Sequence, residues 1–268
     1  MNKLAAFKKA VWSHYRAHGR DMPWRRDHRA YYVVVSEIML QQTQVSRVVP
    51  KFQSFVRRFP DWAHLARASV ADVLREWSGL GYNRRALWLK RIAEHVVTSP
   101  TGELPRTYED LRELPGIGPN TAGSILAFAS DIPHPFIETN IRSAYIHFFF
   151  KDTRNKIQDT NIMRLIEETL KDTYIQKRAR EWHYALMDYG SHLKSLHPNP
   201  SRKSARHVRQ SPFKGSNREQ RSRLLKAIMA GPFVPVKLSA RDRANLAALE
   251  REGFIEKRGK NYAIRIRG

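Results

Sequence analysis

The sequence predicts an all-α protein with a small winged-helix-like unit at its C-terminus. Apolar residues recur at spacings of three and four in residues 45–59, 70–77 and 87–96, and each stripe covers one face of a helix. Short breakers such as Gly79-Leu80-Gly81 separate these stripes, and no strand-like alternation persists before residue 193. Brief connections between amphipathic helices are typical of compact helical domains.

Polar residues mark the expected helix starts. Ser69 is followed three residues later by Asp72, and Thr107 by Asp110. A hydroxyl at the first position can accept a hydrogen bond from the backbone amide of the acidic residue, which favours a helix beginning there.

The composition changes near the C-terminus. Between Lys194 and Lys226 there are ten Lys or Arg and a single acidic residue, so we expect a basic linker at 206–215. A winged-helix-like unit is predicted at 216–268, because the order is a helix to about residue 230, a second helix at 239–252 and a hairpin at 254–266. Ser239 and Asp242 provide the start signal of its second helix.

The charge and cysteine content limit the function. The 268 residues include 48 Lys and Arg against 25 Asp and Glu, a net charge of +23, and no cysteine. This surplus indicates a polyanionic partner, nucleic acid before membrane, because neutralising phosphates releases counterions. The missing cysteines exclude disulfides and cysteine-ligated metal centres. With no apolar stretch near the roughly 20 residues of a membrane span and no secretory layout at the N-terminus, we expect a cytoplasmic, DNA-associated protein.

A glycine-rich hairpin follows a predicted helix that ends near Glu113. The segment Leu114-Pro115-Gly116-Ile117-Gly118 precedes a second helix that runs to about Ala129. Glycines permit positive φ and expose backbone amides, and the helix N-terminus points to the same place, so the hairpin can bind a phosphate without reading sequence. An ordinary turn between two helices is the alternative.

Five segments resemble those of MutY-type adenine DNA glycosylases, members of the helix-hairpin-helix superfamily that includes endonuclease III. In chain order they are Pro23-Trp24-Arg25, Val35–Val45, Leu80-Gly81-Tyr82, Leu111–Leu126 and Met187–Gly190. The resemblance implies a two-lobed helix-hairpin-helix DNA glycosylase fold over residues 1–205. One lobe is expected at 21–134 and the other from 1–20 plus 135–205.

Two carboxyl groups are expected to carry the chemistry. Base excision requires a flipped nucleotide, a proton for the leaving base and stabilisation of an oxocarbenium-like sugar. Glu37 lies in an apolar stretch that would raise its pKa and keep it protonated, and the resemblance implies that it is the general acid. From the pattern alone, a solvated helix glutamate is the alternative.

The second carboxyl group departs from the family. Glu138 stands where the resemblance would place aspartate, and the extra methylene shifts a charge whose placement matters on the ångström scale. We expect Glu138 to stabilise the oxocarbenium ion; the alternative is a helix-start acid that accepts backbone amides.

The resemblance also implies roles for polar neighbours. Asn120 occupies the position at which bifunctional members carry lysine, and asparagine cannot form a Schiff base, so no AP lyase activity is expected. Asn120, Asn140 and Arg25 are expected in the base pocket.

DNA contacts are expected from two groups. Gln41, Gln42 and Tyr82 match positions that, in the family, insert into the base stack or contact the opposite base; the alternative for Tyr82 is a core-edge aromatic beside a glycine turn. Leu114, Gly116, Ile117 and Gly118 are the expected phosphate-binding residues of the hairpin.

Two features that are common in the family have no counterpart among these residues. Most relatives carry a four-cysteine iron–sulfur loop after the segment that matches 187–193, and many add a Nudix-like domain that recognises 8-oxoguanine. We therefore expect no cofactor and no metal. The unit at 216–268 is expected either to follow DNA phosphates or to pack on the catalytic core.

These observations favour a monofunctional glycosylase of base excision repair that removes adenine opposite 8-oxoguanine or guanine. Its partner would be double-stranded DNA with a mismatch or lesion, and it would act as a monomer. One alternative is a thymine or uracil glycosylase acting on T:G and U:G mismatches, and another is a DNA-binding protein whose catalysis has decayed.

Overall fold

The structure, a computed structural model, describes residues 2–208, 212–231, 233 and 238–265. Within these residues lie fifteen α-helices, a 3₁₀ turn at Pro200–Lys203 and one antiparallel hairpin, which confirms the all-α class with a small C-terminal sheet. None of the helices in this part of the chain is long and apolar enough to span a membrane. The elements are α1 (Lys3–His18), α2 (Pro23–Arg26), α3 (Ala30–Leu40), α4 (Val45–Arg58), α5 (Trp62–Arg67), α6 (Val70–Trp77), α7 (Arg84–Thr98), α8 (Tyr108–Glu113), α9 (Pro119–Ser130), α10 (Thr139–Phe150), α11 (Asp159–Leu170), α12 (Thr173–Gln176), α13 (Ala179–Leu196), α14 (Asn217–Ala230), α15 (Ala240–Arg251), β1 (Ile255–Arg258) and β2 (Asn261–Ile264).

The described chain divides into two compact units whose boundaries differ from the predicted lobes. The first unit comprises residues 2–33, 105–113 and 117–208, and the second comprises 34–104, 114–116 and the described residues from 212 onwards. Residues 117–134 belong with the first unit because α9 packs on α13, where the rings of Phe128 and Tyr184 stack at 4.6 Å.

The core of the first unit is aromatic. Phe7 of α1 contacts Tyr145 of α10, with ring centroids 4.7 Å apart, and Trp182 of α13 at 6.2 Å, and all three rings are buried. Gly190 permits the close approach of α13 to α10, because a Cβ there would lie 2.0 Å from the carbonyl oxygen of Asn140. This approach brings the start of α10, where Glu138 lies, against α13.

The second unit buries the apolar stripes that the sequence predicts. Its core contains four fully buried side chains: Phe55 of α4, Leu65 of α5, Trp77 of α6 and Leu89 of α7. The predicted periodicity of these helices is therefore confirmed, because the residues at spacings of three and four face one another.

The predicted helix starts are also confirmed. Ser69 accepts a hydrogen bond from the Asp72 amide at 3.1 Å, and Thr107 accepts one from Asp110 at 3.1 Å. Ser239 accepts the amide of Asp242 at 3.0 Å. Each hydroxyl satisfies one amide that the first helical turn leaves without a partner.

The C-terminal elements follow the predicted order of two helices and a hairpin. Ile255 pairs with Ile264 and Arg258 with Asn261, and Phe233 forms an additional antiparallel bridge with Tyr262. Residues 209–211 of the expected linker, and residues 232, 234–237 and 266–268 of the expected winged-helix-like unit, lie outside the described residues.

Candidate functional site

Glu37 is the half-exposed residue of an otherwise buried stretch of α3. Apart from Glu37, all side chains from Val33 to Met39 are buried, and Ile38 and Met39 are 0% exposed. The apolar neighbours anchor the helix, so the carboxyl group of Glu37 is held on a fixed backbone at the edge of the core.

The C-terminal end of α3 is held by the buried guanidinium of Arg85. Its Nη1 donates to the carbonyl oxygens of Ile38 at 2.9 Å, Met39 at 2.9 Å and Gln41 at 2.6 Å. These carbonyls would otherwise lack partners at the helix end, and a cation is favoured there by the helix dipole. Arg85 therefore caps the helix that carries Glu37.

Arg85 also holds the loop before Tyr82. Its Nη2 donates to the carbonyl oxygens of Leu80 at 3.3 Å and Gly81 at 3.0 Å. Burial lowers the pKa of this guanidinium to about 10, so it remains charged at neutral pH. One side chain thus joins the two loops that carry the expected DNA contacts Gln41, Gln42 and Tyr82.

The backbone of these loops is strained. Gln42 has a φ of 55° and Tyr82 a φ of 47°, both in the left-handed region that favours glycine. Such residues cost on the order of 1–3 kcal/mol each and persist where the surroundings determine them. Arg85 supplies those surroundings, and no sequence signal distinguishes this buried arginine from the exposed Arg84 beside it.

The predicted helix-hairpin-helix is formed by α8, residues 114–118 and α9. Gly116 has a φ of 79°, and a Cβ there would lie 2.3 Å from the ring of Trp88, so both the backbone and the packing require glycine. Gln41 Nε2 donates to the Gly116 carbonyl oxygen at 3.2 Å.

The other three hairpin residues, Leu114, Ile117 and Gly118, offer their backbone to a ligand. Gly118 is not in the left-handed region, because its φ is −87°, and it forms the N-cap of α9 with no side chain over the first helical amides. Leu114 is 5% and Ile117 4% exposed, so these side chains belong to the core and only their backbone is available for a DNA contact.

Asn120 holds the segment that leads to Glu138. Its side-chain oxygen accepts a hydrogen bond from the Ile137 amide at 3.1 Å, which ties the first turn of α9 to the residue before Glu138. Asn120, which stands where bifunctional members are expected to carry lysine, thus has a structural role in this protein.

Glu138 caps α10. Its Oε1 accepts the amides of Asn140 at 2.6 Å and Ile141 at 3.0 Å, and its Oε2 accepts Asn140 Nδ2 at 3.3 Å. The helix-start alternative is therefore confirmed as one role of this carboxylate, and it leaves the expected catalytic role untested. Among the described residues, Asn140 Oδ1 is buried and has no hydrogen-bond partner.

The charge of Glu138 is influenced by burial and by Lys194. Burial raises the pKa of Glu138 above its usual value, against the opposing effects of the Ile141 amide and the Lys194 ammonium. Burial also lowers the pKa of Lys194, while Glu138 opposes that change. No sequence signal links Lys194 to this site, because only the packing of α13 on α10 brings it near Glu138.

Arg25 lies in a buried ion pair. Its Nη1 and Nη2 donate to the two carboxylate oxygens of Asp188, each at 2.8 Å, and its guanidinium lies 4.2 Å from the centre of the Tyr184 ring. Arg20 also donates to Asp188, through its backbone amide at 2.8 Å and its Nε at 2.6 Å. Arg25 is therefore held rigidly, and its donors are largely engaged within the protein.

A pocket of about 530 Å³ in the first unit is lined by Arg25 and Tyr184. Its other walls are mostly basic, with Arg20, His28, Lys177, Arg178 and Arg180. Asn120, Glu138 and Asn140 meet at the start of α10 instead. The structure thus joins three of the expected site residues through one segment and binds Arg25 to Asp188 of α13.

The segment after α13 does not fit a cysteine-ligated iron–sulfur cluster, because the chain contains no cysteine. It is closed by backbone hydrogen bonds from the Ile157 amide to Lys203 and from the Ala205 amide to Ile157, each 2.9 Å long. Asn199 adds a hydrogen bond from the Ser201 amide at 3.0 Å. Over the residues that the structure covers, no group of three His, Asp or Glu side chains could hold a metal ion.

Comparisons with known proteins agree with this architecture. A family model for the HhH-GPD superfamily base excision DNA repair protein matches residues 35–184. The adenine DNA glycosylase of Buchnera aphidicola subsp. Schizaphis graminum (strain Sg) is 36% identical over 147 residues, which are 54% of this chain and 42% of that protein. The adenine DNA glycosylase of Buchnera aphidicola subsp. Baizongia pistaciae (strain Bp) is 33% identical over 195 residues, 72% of this chain and 54% of that protein.

A solved structure of a thermostable thymine-DNA glycosylase has the same fold, with a TM-score of 0.63 at 19% sequence identity, over 76% of this chain and 93% of that one. This chain spans about half the length of the curated relatives it matches. The family match covers more than half of the chain and includes Glu37, the hairpin and Glu138. The chain therefore belongs to the HhH-GPD superfamily of base excision DNA repair proteins.

Proposed function

We propose that this protein is a DNA glycosylase that hydrolyses the N-glycosidic bond of adenine opposite 8-oxoguanine or guanine in double-stranded DNA, as a monomer. The observation that carries the proposal is the placement of Glu37, a half-exposed carboxyl group on a helix that is otherwise buried from Val33 to Met39. The choice of adenine is supported by the similar adenine DNA glycosylases.

Glu37 would act first as an acid and then as a base. A protonated Glu37 gives its proton to a nitrogen of the flipped adenine, and the bond to the sugar breaks with its electron pair leaving on the base. The Glu37 carboxylate then takes a proton from the water that adds to the sugar carbon. The products are free adenine and an abasic site.

Glu138 would stabilise the positive charge of the sugar between these steps. Its carboxylate is held by two backbone amides and by Asn140, so it cannot swing away when the cation forms. A fixed negative charge in partly buried surroundings attracts a transient cation more strongly than the same charge in water. The unpartnered Asn140 Oδ1 offers one acceptor beside it.

Asn120 is the residue that favours an abasic product whose DNA strand is not cleaved by the enzyme. It has no amine to attack the sugar, and its oxygen is engaged with the Ile137 amide. We therefore propose that the enzyme has no AP lyase activity and that strand cleavage requires added alkali.

The test is excision from four duplexes, with adenine opposite 8-oxoguanine, A:G, T:G and U:G, each with and without hot alkali. We expect alkali-dependent cleavage at both adenine pairs and no borohydride-trapped adduct. Glu37→Gln should slow excision by roughly 10²- to 10⁴-fold, the usual contribution of general acid–base catalysis. Glu167→Gln, an exposed change of the same type on α11, should match the unchanged protein.

The other outcomes separate the alternatives. Excision only at T:G or U:G would show that the substrate is a pyrimidine and not adenine. Binding without excision from any duplex would indicate decayed catalysis. Stoichiometric trapping by borohydride would show a covalent step that Asn120 cannot provide.

A further inference from the structure

Arg218 of the C-terminal unit binds the side chain of Tyr82. Its Nη1 donates a hydrogen bond of 2.6 Å to the Tyr82 hydroxyl oxygen, and its guanidinium lies 5.2 Å from the centre of the ring. The two residues are 136 positions apart in the chain and belong to the same compact unit. Tyr82 is the aromatic residue that is expected to insert into DNA, so Arg218 contacts a side chain with an expected role in DNA binding.

The contact belongs to a built interface. Glu252, which follows α15, forms ion pairs with Arg84 of α7 at 2.6 Å and with Arg221 of α14 at 2.7 Å. Arg91 of α7 donates to the Glu252 carbonyl oxygen at 3.4 Å. Burial alone would raise the pKa of Glu252, but Arg84 and Arg221 outweigh it and hold the pKa below its usual value. These pairs fix α14, and with it Arg218, against α7.

Tyr82 is therefore held at three points. Its backbone adopts a φ of 47°, in a loop whose carbonyl oxygens bind Arg85. The Arg85 guanidinium lies 5.5 Å from the ring centre, while Arg218 binds the hydroxyl. Arg85 holds the backbone, and Arg218 supplies a constraint on the end of the side chain.

We propose that Arg218 is a positioning residue that sets the orientation of Tyr82 for insertion into the base stack. The C-terminal unit would then act in excision through Tyr82, in addition to holding DNA phosphates. An aromatic side chain that is already oriented loses less conformational freedom when it stacks on a base. This inference rests on the proposed function, in which Tyr82 contacts the DNA next to the target.

The test compares full-length Arg218→Ala with Lys226→Ala, which removes one positive charge from an exposed site on the same helix. Single-turnover excision at saturating protein, from a duplex with adenine opposite 8-oxoguanine, is measured together with 2-aminopurine fluorescence beside the mispair. We expect Arg218→Ala to lower the excision rate by about 10-fold, the effect of losing a hydrogen bond to a charged group, and to reduce the unstacking signal. Lys226→Ala should leave both readings unchanged, and Arg218→Lys should restore part of each.

A double-mutant cycle separates positioning from general stability. In a Tyr82→Phe background the hydroxyl acceptor is gone, so Arg218→Ala should have less than about a third of its effect on the rate. Equal effects in both backgrounds, or an Arg218→Ala variant indistinguishable from Lys226→Ala, would overturn the inference. If Arg218→Ala fails to fold, Tyr82→Phe alone breaks the same hydrogen bond from the other side and must reproduce the lower rate and fluorescence.

Failure of the proposed function would be recognised separately. If the unchanged protein excises no base, the enzymatic proposal is wrong, and the fluorescence measurement still shows whether Arg218 affects unstacking through Tyr82. If the protein excises adenine but neither reading depends on Arg218, only the positioning inference is wrong.

Discussion

The pKa values of two carboxyl groups of the first unit, Glu138 and Asp188, are shifted in opposite directions. Burial raises the pKa of Glu138, and its amide donors and Lys194 only partly oppose this. Burial alone would also raise the pKa of Asp188, but the hydrogen bonds and charges of Arg25 and Arg20 outweigh it and hold the pKa below its usual value. The lowered pKa favours the ionised form of Asp188, and this carboxylate positions Arg25.

Replacing Asp188 by asparagine should destabilise the protein in a pH-dependent manner. Because the pKa of Asp188 is lowered in the folded state, its stabilisation is fully present above its ordinary value of 3.8 and is lost as the pH falls through the lower folded value. We expect Asp188→Asn to reduce the free energy of unfolding by about 3 kcal/mol at neutral pH, since the largely buried Arg25 and the half-buried Arg20 lose their counter-charge. Urea unfolding across a pH series should show this difference shrinking below 3.8.

Asp21→Asn provides the control for that measurement. Asp21 also pairs with an arginine, Arg26, but both side chains are largely exposed, at 62% and 71%. Solvent screens such pairs, so this variant should unfold like the unchanged protein. A difference at Asp188 that stays constant with pH would contradict the ion-pair interpretation.

At the scale of elements, the hairpin between α8 and α9 uses its two glycines for different reasons. Gly116 combines a φ of 79° with a ring of Trp88 where a Cβ would be, whereas Gly118 has an ordinary φ of −87° and open space around it. Conformation and packing explain the first glycine. The second leaves the start of α9 uncovered, as a phosphate-binding site requires.

The two glycine-to-alanine variants should therefore differ. Gly116→Ala should lower the free energy of unfolding by about 3 kcal/mol, because a left-handed backbone and a steric clash are both penalised. Gly118→Ala should cost less than about 1 kcal/mol and should weaken binding to matched and mismatched duplexes by the same factor. Thermal unfolding and fluorescence anisotropy measure the two effects, and equal losses of stability would refute the distinction.

Most of the helix starts and the hairpin between α8 and α9 could be predicted from the sequence. The starts at Ser69, Thr107 and Ser239 and the hairpin before Pro119 were expected, because caps and glycine turns depend on residues within a few positions of one another. Both glycines permit a positive φ, and only Gly116 adopts one, since the sequence alone does not show which glycine of a turn enters the left-handed region.

Over the whole molecule, the positive charge is unevenly distributed. Residues 1–193 contain 29 basic and 20 acidic residues, a net charge of +9, whereas residues 194–268 contain 19 and 5, a net charge of +14. Part of the C-terminal charge is used internally, since Arg218 and Arg221 bind Tyr82 and Glu252. Two lysines of the β-hairpin, Lys257 and Lys260, are exposed.

Neutralising these two lysines should weaken DNA binding without changing which mispair is preferred. We expect the variant with Lys257→Gln and Lys260→Gln to reduce the slope of log affinity against log salt by up to about 2, because each phosphate contact contributes about 0.9. Titrations over a series of salt concentrations, on matched and mismatched duplexes, provide the measurement. Lys9→Gln with Lys171→Gln removes the same charge from the first unit and should change the slope less; an equal change would show that only net charge matters.

The sequence by itself determined the helical class, the capped helix starts, the hairpin and the residue types at positions 37, 120 and 138, because each depends on local pattern or on side-chain chemistry. Only the tertiary structure decided that Arg85 joins two loops, that Asp188 holds Arg25 and that Arg218 reaches Tyr82 across 136 positions. The physical reason is that an arginine in a single sequence has the same local signature whether it is exposed or buried, while its partners come from carbonyl and hydroxyl groups that only the packing of distant helices brings within hydrogen-bonding distance.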